Sequence, residues 1–301
     1  MADIEHTKTK PKKTTAEVLA NAQLKADAAL ARKAEKPHQE VSVQRKIFLP
    51  GLTDLMRAMP NHIARSSLFA PVAPGRKKTY VDKLLVSRAD ALIKFWGQQL
   101  DESQADVWLQ AMHEAIKQPL GMPIIINRLA FLKSLRISNT GPNYKWLHRT
   151  MKALSFAMLV IEVTKNGKLK MEIGKTRALH LIEGFDYDEN VGAYTLRIDP
   201  RWQEMYANRE FSLIEWDKRM QIGPNQNMAK ALQRLVATSN DSTQRYALDW
   251  LKEKLIYTSP LRKFKESLEG AMRELERLEI ISDAKIEIST KGKLQTVWQL
   301  V

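Results

Sequence analysis

Three basic residues, Arg262, Lys263 and Lys265, crowd the first turn of a predicted helix that begins at the pair Ser259-Pro260. Serine is a common N-cap and proline fits a first helical turn, so the pair predicts the start of the helix. Cations in a first turn face the positive end of the helix dipole and destabilise the helix unless an anion offsets them. A backbone phosphate is such an anion, so the cluster predicts nucleic-acid binding.

A second basic helix is predicted to begin at Asn143. Lys145, Arg149 and Lys152 follow at intervals of four and three residues, so they share one side of that helix, and His148 lies beside them. We take these five residues as candidate DNA contacts. The opposite side of the helix is apolar, and its predicted buried residues are Tyr144, Leu147, Met151 and Leu154.

Each basic helix is predicted to follow other helices and to precede a β-hairpin. The first half of the chain is predicted to contain helices over 101–118, 127–135 and 143–155, a strand over 124–126 and a hairpin turning at Asn166-Gly167. The second half is predicted to contain helices over 226–237, 243–256 and 260–278 and a hairpin turning at Lys291-Gly292. The predicted core side of the last helix is Leu261, Phe264, Leu268, Ala271, Leu275 and Leu278.

Helix, turn, helix and hairpin in this order make a winged helix-turn-helix, whose second helix enters the DNA major groove. We therefore predict an α+β fold with two tandem winged helix-turn-helix domains and a flexible basic N-terminal arm. The predicted boundaries are an arm over 1–46, a first domain over 47–206 and a second over 207–301. Further predicted phosphate contacts, on the hairpins and along the last helix, are Lys165, Lys168, Lys291, Lys293 and Arg273.

The charge of the chain favours a polyanionic partner. The formal net charge is +14, and residues 1–46 contain ten Lys/Arg and six Asp/Glu, so the predicted folded part carries most of the excess. No apolar run reaches the 18 or more residues that indicate a membrane span. The lysines near residue 10 are not followed by an apolar stretch, so we expect that this segment is not a secretory signal. We expect a cytoplasmic protein that is not associated with a membrane.

Enzymatic signatures are missing from the sequence. There are no cysteines, the six histidines include no H-x-H pair, and no G-x-x-x-x-G-K-[ST] loop is present. His113-Glu114 lacks the second histidine of a zinc protease motif. We therefore predict no catalytic residue, no metal site and no cofactor.

The segment from Leu55 to Phe69, LMRAMPNHIARSSLF, is the most family-specific part of the chain. It closely resembles the segment that opens the folded part of TrfA-type plasmid replication initiators, and a weaker resemblance extends through Ser138, Gly141 and Tyr144 to Leu154. The resemblance implies two winged-helix domains that bind one iteron. Iterons are the repeated binding sites at a plasmid origin. The resemblance also implies a bacterial protein associated with the nucleoid or a plasmid. A further implied step is the opening of adjacent AT-rich DNA, which would be bound as a single strand. Further implied partners are the host replication initiator and helicase, and a second copy in an inactive dimer that dissociates to an active monomer.

The resemblance also implies a clamp-binding peptide just before that segment. Gln44 with Ile47 and Phe48 keeps the glutamine and the hydrophobic pair that such a peptide presents to the host's sliding clamp. Arg45 and Lys46 depart from the family's peptide. The alternative is that these residues form the first strand or turn of the folded domain.

Two other functions remain open from the sequence. A plasmid partition protein or transcriptional regulator could use the same winged helices without a role in replication. A structural or adaptor protein could use the basic face to bind an acidic protein. Origin-dependent plasmid maintenance separates the first alternative from an initiator, and salt-dependent binding to repeated DNA excludes the second.

Overall fold

The computed structural model describes residues 52–72, 77–119, 121–206 and 210–301. Its helices are α1 (Asn61–Ala64), α2 (Glu102–Ala115), α3 (Arg128–Ser134), α4 (Gly141–Phe156), α5 (Trp202–Met205), α6 (Trp216–Gln221), α7 (Asn227–Val236), α8 (Leu248–Lys254) and α9 (Leu261–Arg277). The predicted arm over 1–46 and the candidate clamp-binding residues Gln44, Ile47 and Phe48 lie outside the described residues.

The strands complete a mixed α and β architecture. They are β1 (Met56–Pro60), β2 (Phe69–Ala70), β3 (Thr79–Leu84), β4 (Ala91–Gln98), β5 (Leu100–Asp101), β6 (Ile124–Asn127), β7 (Met158–Lys165), β8 (Lys168–Ile173), β9 (Leu179–His180), β10 (Gly184–Asp188), β11 (Ala193–Arg197), β12 (Phe211–Glu215), β13 (Thr243–Ala247), β14 (Ile281–Ile288) and β15 (Leu294–Leu300). None of the helices among the described residues is long and apolar enough to cross a membrane.

A first hydrophobic core forms between α2, α4 and an antiparallel sheet of order β3-β4-β7-β8, with β9 also paired to β7. Leu147, Met151 and Leu154 of α4 are buried in this core, as their spacing predicts, and Tyr144 is half-buried. Burial on one side leaves the other side of α4 open to solvent, and that is the side that carries the basic residues.

Capping side chains fix the N-terminal ends of α2 and α3. Asp101 and Gln104 form a reciprocal capping box at the start of α2, in which Asp101 Oδ1 accepts from the Gln104 amide at 2.9 Å. Asn127 caps α3 by accepting from the Ala130 amide at 3.0 Å. These caps place the short helix α3 directly before the turn into α4.

The hairpin between β7 and β8 is the two-residue turn that the sequence predicts. Asn166 has φ of 52° and Gly167 has φ of 73°, the left-handed pair that a type I′ turn requires. Lys165 and Lys168 lie directly opposite each other at its tip. A second, three-stranded sheet of order β10-β11-β6 lies beside α4 and was not predicted from the sequence, apart from the strand at 124–126.

The second core runs from Ile222 to Trp298 and is formed by α7, α8, α9 and a sheet of order β13-β15-β14. The predicted core side of α9 is confirmed for Phe264, Leu268, Ala271, Leu275 and Leu278. The predicted hairpin is present as β14 and β15.

The predicted helix over 243–256 is wrong in its first part. Thr243 to Ala247 form β13, which pairs antiparallel with β15 from Gln299 to Gln295, and only the remainder forms the helix α8. The apolar spacing of the segment fits a helix. The strand β15, about fifty residues later in the chain, forms hydrogen bonds with Thr243 to Ala247, and these bonds outweigh the local preference for a helix.

The predicted start of the last helix also needs correction. Pro260, not Ser259, is the N-cap of α9, and its carbonyl accepts the first helical hydrogen bond from the Phe264 amide at 3.1 Å. The helix therefore starts at Leu261, and Leu261 is 38% exposed because the first turn projects beyond the core.

Two groups of elements follow the same order. We call α2, β6, α3, α4, β7 and β8 the first unit, and α7, β13, α8, α9, β14 and β15 the second unit. In each, a helix, a strand, a short helix and a long helix precede a hairpin. The units differ in one pairing, because β6 joins β11 whereas β13 joins the hairpin strand β15.

Candidate nucleic-acid interface

The basic residues of α4 lie on its solvent side. Lys145, Arg149 and Lys152 are exposed, and within the described residues none of them pairs with a carboxylate. Because no carboxylate of the protein neutralises them, these cations can attract an external anion. The structure therefore brings these three predicted residues together in an arrangement that can contact phosphate or base edges.

Asn143 and His148 are used within the protein. The Asn143 side-chain amide donates to the Ser138 carbonyl at 2.8 Å and to the Ser138 hydroxyl at 3.0 Å, which holds the turn between α3 and α4. The half-buried His148 ring packs edge-on against Phe185, with ring centroids 5.4 Å apart. Both residues support the shape of the predicted interface, and their direct contact with DNA stays a prediction.

A cleft of about 460 Å³ opens beside α4. Its lining residues are Arg128, Tyr144, Lys145, His148, Arg149, Tyr187, Glu189 and Tyr194. The Arg128 guanidinium lies 3.9 Å from the Tyr144 ring centroid and 5.3 Å from that of Tyr187, and it donates to the Tyr187 hydroxyl. Arg128 thereby braces α4 against the β10–β11 sheet.

Sequence reasoning did not identify this aromatic cluster. The sequence pattern that could have indicated it is the spacing of Phe185 and Tyr187 two residues apart, followed by Tyr194. In the structure Phe185 and Tyr187 lie in β10, and Tyr187 pairs directly with Tyr194 in β11. Burial, with a smaller contribution from Tyr187 and opposed by Arg128, raises the pKa of Tyr194 to about 12. The Tyr194 hydroxyl therefore stays protonated near neutral pH.

The first turn of α9 carries two exposed cations, Arg262 and Lys263. Arg262 is 81% exposed and forms an i,i+4 pair with Glu266 at 3.3 Å, a contact that solvent weakens. Lys263 is exposed, and its carbonyl accepts from the Tyr257 hydroxyl at 3.2 Å. Lys265 is half-buried, and Arg273 is exposed further along the helix.

The hairpin tips add two exposed lysine pairs. Lys165 and Lys168 face each other across β7 and β8, and like charges directly opposite on a hairpin repel. Lys291 and Lys293 flank Gly292 at the tip between β14 and β15 and are also exposed. An anion bound at the β7–β8 tip would relieve the repulsion between Lys165 and Lys168.

Among residues 52–72, 77–119, 121–206 and 210–301, no cluster of three or more His, Asp or Glu residues could hold a metal ion. The arrangement of side chains around α4 and α9 suits the binding of a polyanion.

Comparison with solved structures finds two crystal structures of domains 2 and 3 of RctB. Both are 13% identical in sequence to this chain and superpose with a TM-score of 0.45. The alignments cover 76% and 80% of this chain and 94% and 97% of the RctB chains, respectively.

Comparison with characterised sequences finds the plasmid replication initiator protein TrfA of Escherichia coli. It is 25% identical to this chain over 224 residues, which cover 72% of this chain and 56% of the TrfA protein. The chain thus matches little more than half the length of that relative. The sequence model of the family described as TrfA protein matches residues 11–287. Because this match covers most of the sequence, the chain belongs to the TrfA family.

Proposed function

We propose that this chain is a plasmid replication initiator that binds iteron repeats through two winged helix-turn-helix units. The observation that carries the proposal is the repeated order of elements. In both units a long helix with exposed cations follows a short helix and precedes a lysine-tipped hairpin. In a winged helix-turn-helix these are the recognition helix and the wing.

The roles of the cations follow from their positions. The first turn of a recognition helix meets base edges, so Arg262 and Lys263 are assigned to base contacts and Arg273 to phosphate. On α4, Lys145 lies in the second turn and Arg149 one turn further along the same exposed face, and both are assigned to contacts in the major groove. Lys165 and Lys291 at the hairpin tips contact phosphate, which contributes affinity without sequence information.

The remaining steps rest on family membership and on the name of the Escherichia coli relative. The protein would act in the bacterial cytoplasm on plasmid DNA. There it would open an adjacent AT-rich region, bind the exposed single strand and recruit the host initiator, helicase and sliding clamp. A dimer that dissociates to an active monomer would limit initiation. A plasmid that carries the cognate origin and no other initiator gene tests this, because it should replicate only in cells that express the chain.

Arg262→Ala and Lys263→Ala should each weaken binding to the preferred duplex by about 1–3 kcal/mol and reduce its discrimination against scrambled DNA. Lys165→Ala should weaken binding to both duplexes alike, because a phosphate contact is independent of sequence. The preferred duplex is obtained by selecting a randomised 40-bp pool with the wild-type protein, and competition titrations measure both affinities.

Lys117→Ala is the matched control, since it removes one exposed cation at the end of α2 that already pairs with Glu114 at 2.8 Å. It should change neither affinity. The assignment of roles is wrong if Lys165→Ala loses discrimination while the α9 variants keep it. The winged-helix function itself is wrong if the selection yields no preferred duplex.

Binding to the preferred duplex should weaken steeply with salt, because each neutralised phosphate contributes a slope of about −0.9 in log affinity against log salt concentration. The double variant Lys165→Ala/Lys168→Ala should make this slope shallower by about one to two. Titrations at several salt concentrations measure the slope. A slope near zero for the wild type, or a footprint covering only about one helical turn, would contradict two-unit binding.

A further inference from the structure

A buried cluster of charged residues connects α2 to α6 and α7. Glu102 on α2 is fully buried and accepts hydrogen bonds from two arginines that are equally buried, Arg219 on α6 and Arg234 on α7. Glu102 Oε2 lies 3.0 Å from Arg219 Nη2 and 3.1 Å from Arg234 Nε, and Glu102 Oε1 accepts from Arg234 Nη2. The pair of Arg234 with Glu102 is bidentate, so it fixes the orientation of the guanidinium relative to the carboxylate as well as their distance.

Asp106, one turn further along α2, extends the cluster. Its Oδ1 lies 2.5 Å from Arg219 Nε, and its Oδ2 lies 2.5 Å from Lys230 Nζ on α7. Two carboxylates on α2 thus bind three cations on the elements that lead into and begin the second unit. We call these five residues the inter-unit cluster.

The inter-unit cluster lies between the two basic helices. In the first unit α2 packs against α4, and in the second unit α7 packs against α9. A continuous path of packed helices therefore runs from α4 through α2, across the ion pairs, to α7 and α9. Any change of angle between α2 and α7 changes the separation and relative rotation of α4 and α9.

Ion pairs suit this position for a reason other than stability. A fully buried pair is rarely more stabilising than apolar side chains of the same volume, because both charges lose their hydration. An apolar contact tolerates sliding, whereas a bidentate guanidinium–carboxylate pair has one favourable geometry. Replacing the cluster by apolar residues would keep the units together and lose that geometry.

We propose that Glu102 and Asp106 are positioning residues that fix the separation of α4 and α9, so that the protein discriminates DNA sites by the spacing between their two half-sites. This inference rests on the proposed function, because it requires both helices to bind one site. Recognition helices on one face of B-DNA read half-sites about 10–10.5 base pairs apart or at multiples of that spacing, so a rigid link between the two helices selects a single spacing.

The test compares the wild type with Glu102→Gln/Arg234→Gln and with Asp106→Asn. The double variant removes one charge of each sign. Glutamine has the size of the glutamate at position 102, but at position 234 it is shorter than arginine and also loses the bonds to the Ala64 and Phe69 carbonyls. The single variant leaves the contact between Arg219 and Glu102 in place. Each protein is titrated with the duplex selected from the randomised 40-bp pool and with a copy carrying five extra base pairs between the half-sites.

For the wild type the insertion should weaken binding about 100-fold, because α4 and α9 can no longer bind both half-sites at the same time. For the double variant the loss should fall to about tenfold or less, since a flexible link lets both helices engage. Base substitutions within one half-site should weaken both proteins equally. Lys94→Gln/Asp82→Asn, which removes an exposed ion pair with 3.0 Å between charged atoms, should behave as the wild type.

A second measurement needs no DNA. The chain contains no cysteine, so Lys133→Cys on α3 and Glu269→Cys on α9, both exposed, allow paired spin labels to report the distance between the units. The distance distribution should be narrow in the otherwise unchanged protein and broader in both cluster variants.

The outcomes separate this inference from the proposed function. If no duplex is selected but the distance distribution broadens, the function fails and the cluster still positions the units. If the variants keep both the spacing penalty and the narrow distribution, the positioning role is overturned. Loss of cooperative thermal melting in both cluster variants would also overturn it, in favour of a purely folding role.

Discussion

Glu102→Ala should lower the free energy of unfolding by about 3–5 kcal/mol at pH 7, because it leaves two fully buried arginines facing an empty site. Burial alone would raise the pKa of Glu102, but Arg234 and then Arg219 outweigh it and lower this pKa to about 2. The carboxylate is therefore charged at pH 7. Without it, Arg219 and Arg234 remain buried and charged but lose the interaction that offsets their loss of hydration. Urea unfolding followed by circular dichroism measures the change.

The matched control for this prediction is Lys94→Ala, which breaks the exposed pair with Asp82 and should change stability by less than about 1 kcal/mol. The charge-balanced variant Glu102→Gln/Arg234→Gln should be destabilised less than the sum of the two single changes, because the residues share one network. A loss below about 1 kcal/mol for Glu102→Ala would mean that water enters the cluster and hydrates both arginines.

Features set by neighbouring residues are the ones that the sequence predicts well. Asn127 as a cap, the Asn166-Gly167 turn and the apolar spacing of α9 each act within a few residues, and the structure has them where they were expected. The exposed stripe on α4 follows in the same way, since burying Leu147 and Met151 turns the opposite side to solvent.

Features that depend on distant partners were missed. The strand β13 exists because β15 pairs with it, and β10 and β11 exist because they extend β6. The apolar positions of 243–256 fit a helix and give no sign of that pairing. The role of His148 depends likewise on the rings of β10 and β11, so sequence alone assigned it only to DNA. Asn143 was also assigned only to DNA, although its partner Ser138 lies just five residues earlier.

The inter-unit cluster is the least predictable feature of the molecule. Glu102 and Arg234 are separated by 132 residues in the chain, and both residue types are normally exposed. Only when α2 and α7 pack does each charge find the partner that permits its burial. Sequence patterns that locate the exposed cations of α4 and α9 therefore do not identify the buried charged residues between the two units.

Lys254 is a fully buried cation close to this cluster, and it should make stability depend on pH. Its Nζ donates to the Ser66 carbonyl at 3.3 Å. Burial, then repulsion from Arg234, lowers the pKa of Lys254 to about 7, while Glu102 raises it and Arg65 lowers it further. The other charges near Lys254 therefore do not compensate for the loss of hydration.

The free energy of unfolding should rise between pH 7 and pH 9, because unfolded Lys254 keeps its ordinary pKa of 10.5 and binds more protons there than the folded residue. The slope from this group is at most about 1.4 kcal/mol per pH unit. Below pH about 7 both states carry the proton, and the contribution stops changing. Burial also lowers the pKa of His62 and His113 below 6.5, so their contributions are nearly complete before this window begins.

Lys254→Met should raise the free energy of unfolding by roughly 2 kcal/mol at pH 7, since removing a desolvated cation outweighs the lost hydrogen bond to Ser66. This advantage should shrink as the pH approaches 9, where the wild-type amine is already neutral in the fold. Urea unfolding of both proteins at pH 7, 8 and 9 measures the difference. Lys252→Met, which removes a half-buried cation from the same helix, is the matched control. A constant difference across this range would contradict the prediction, because it would show that Lys254 stays charged in the folded protein.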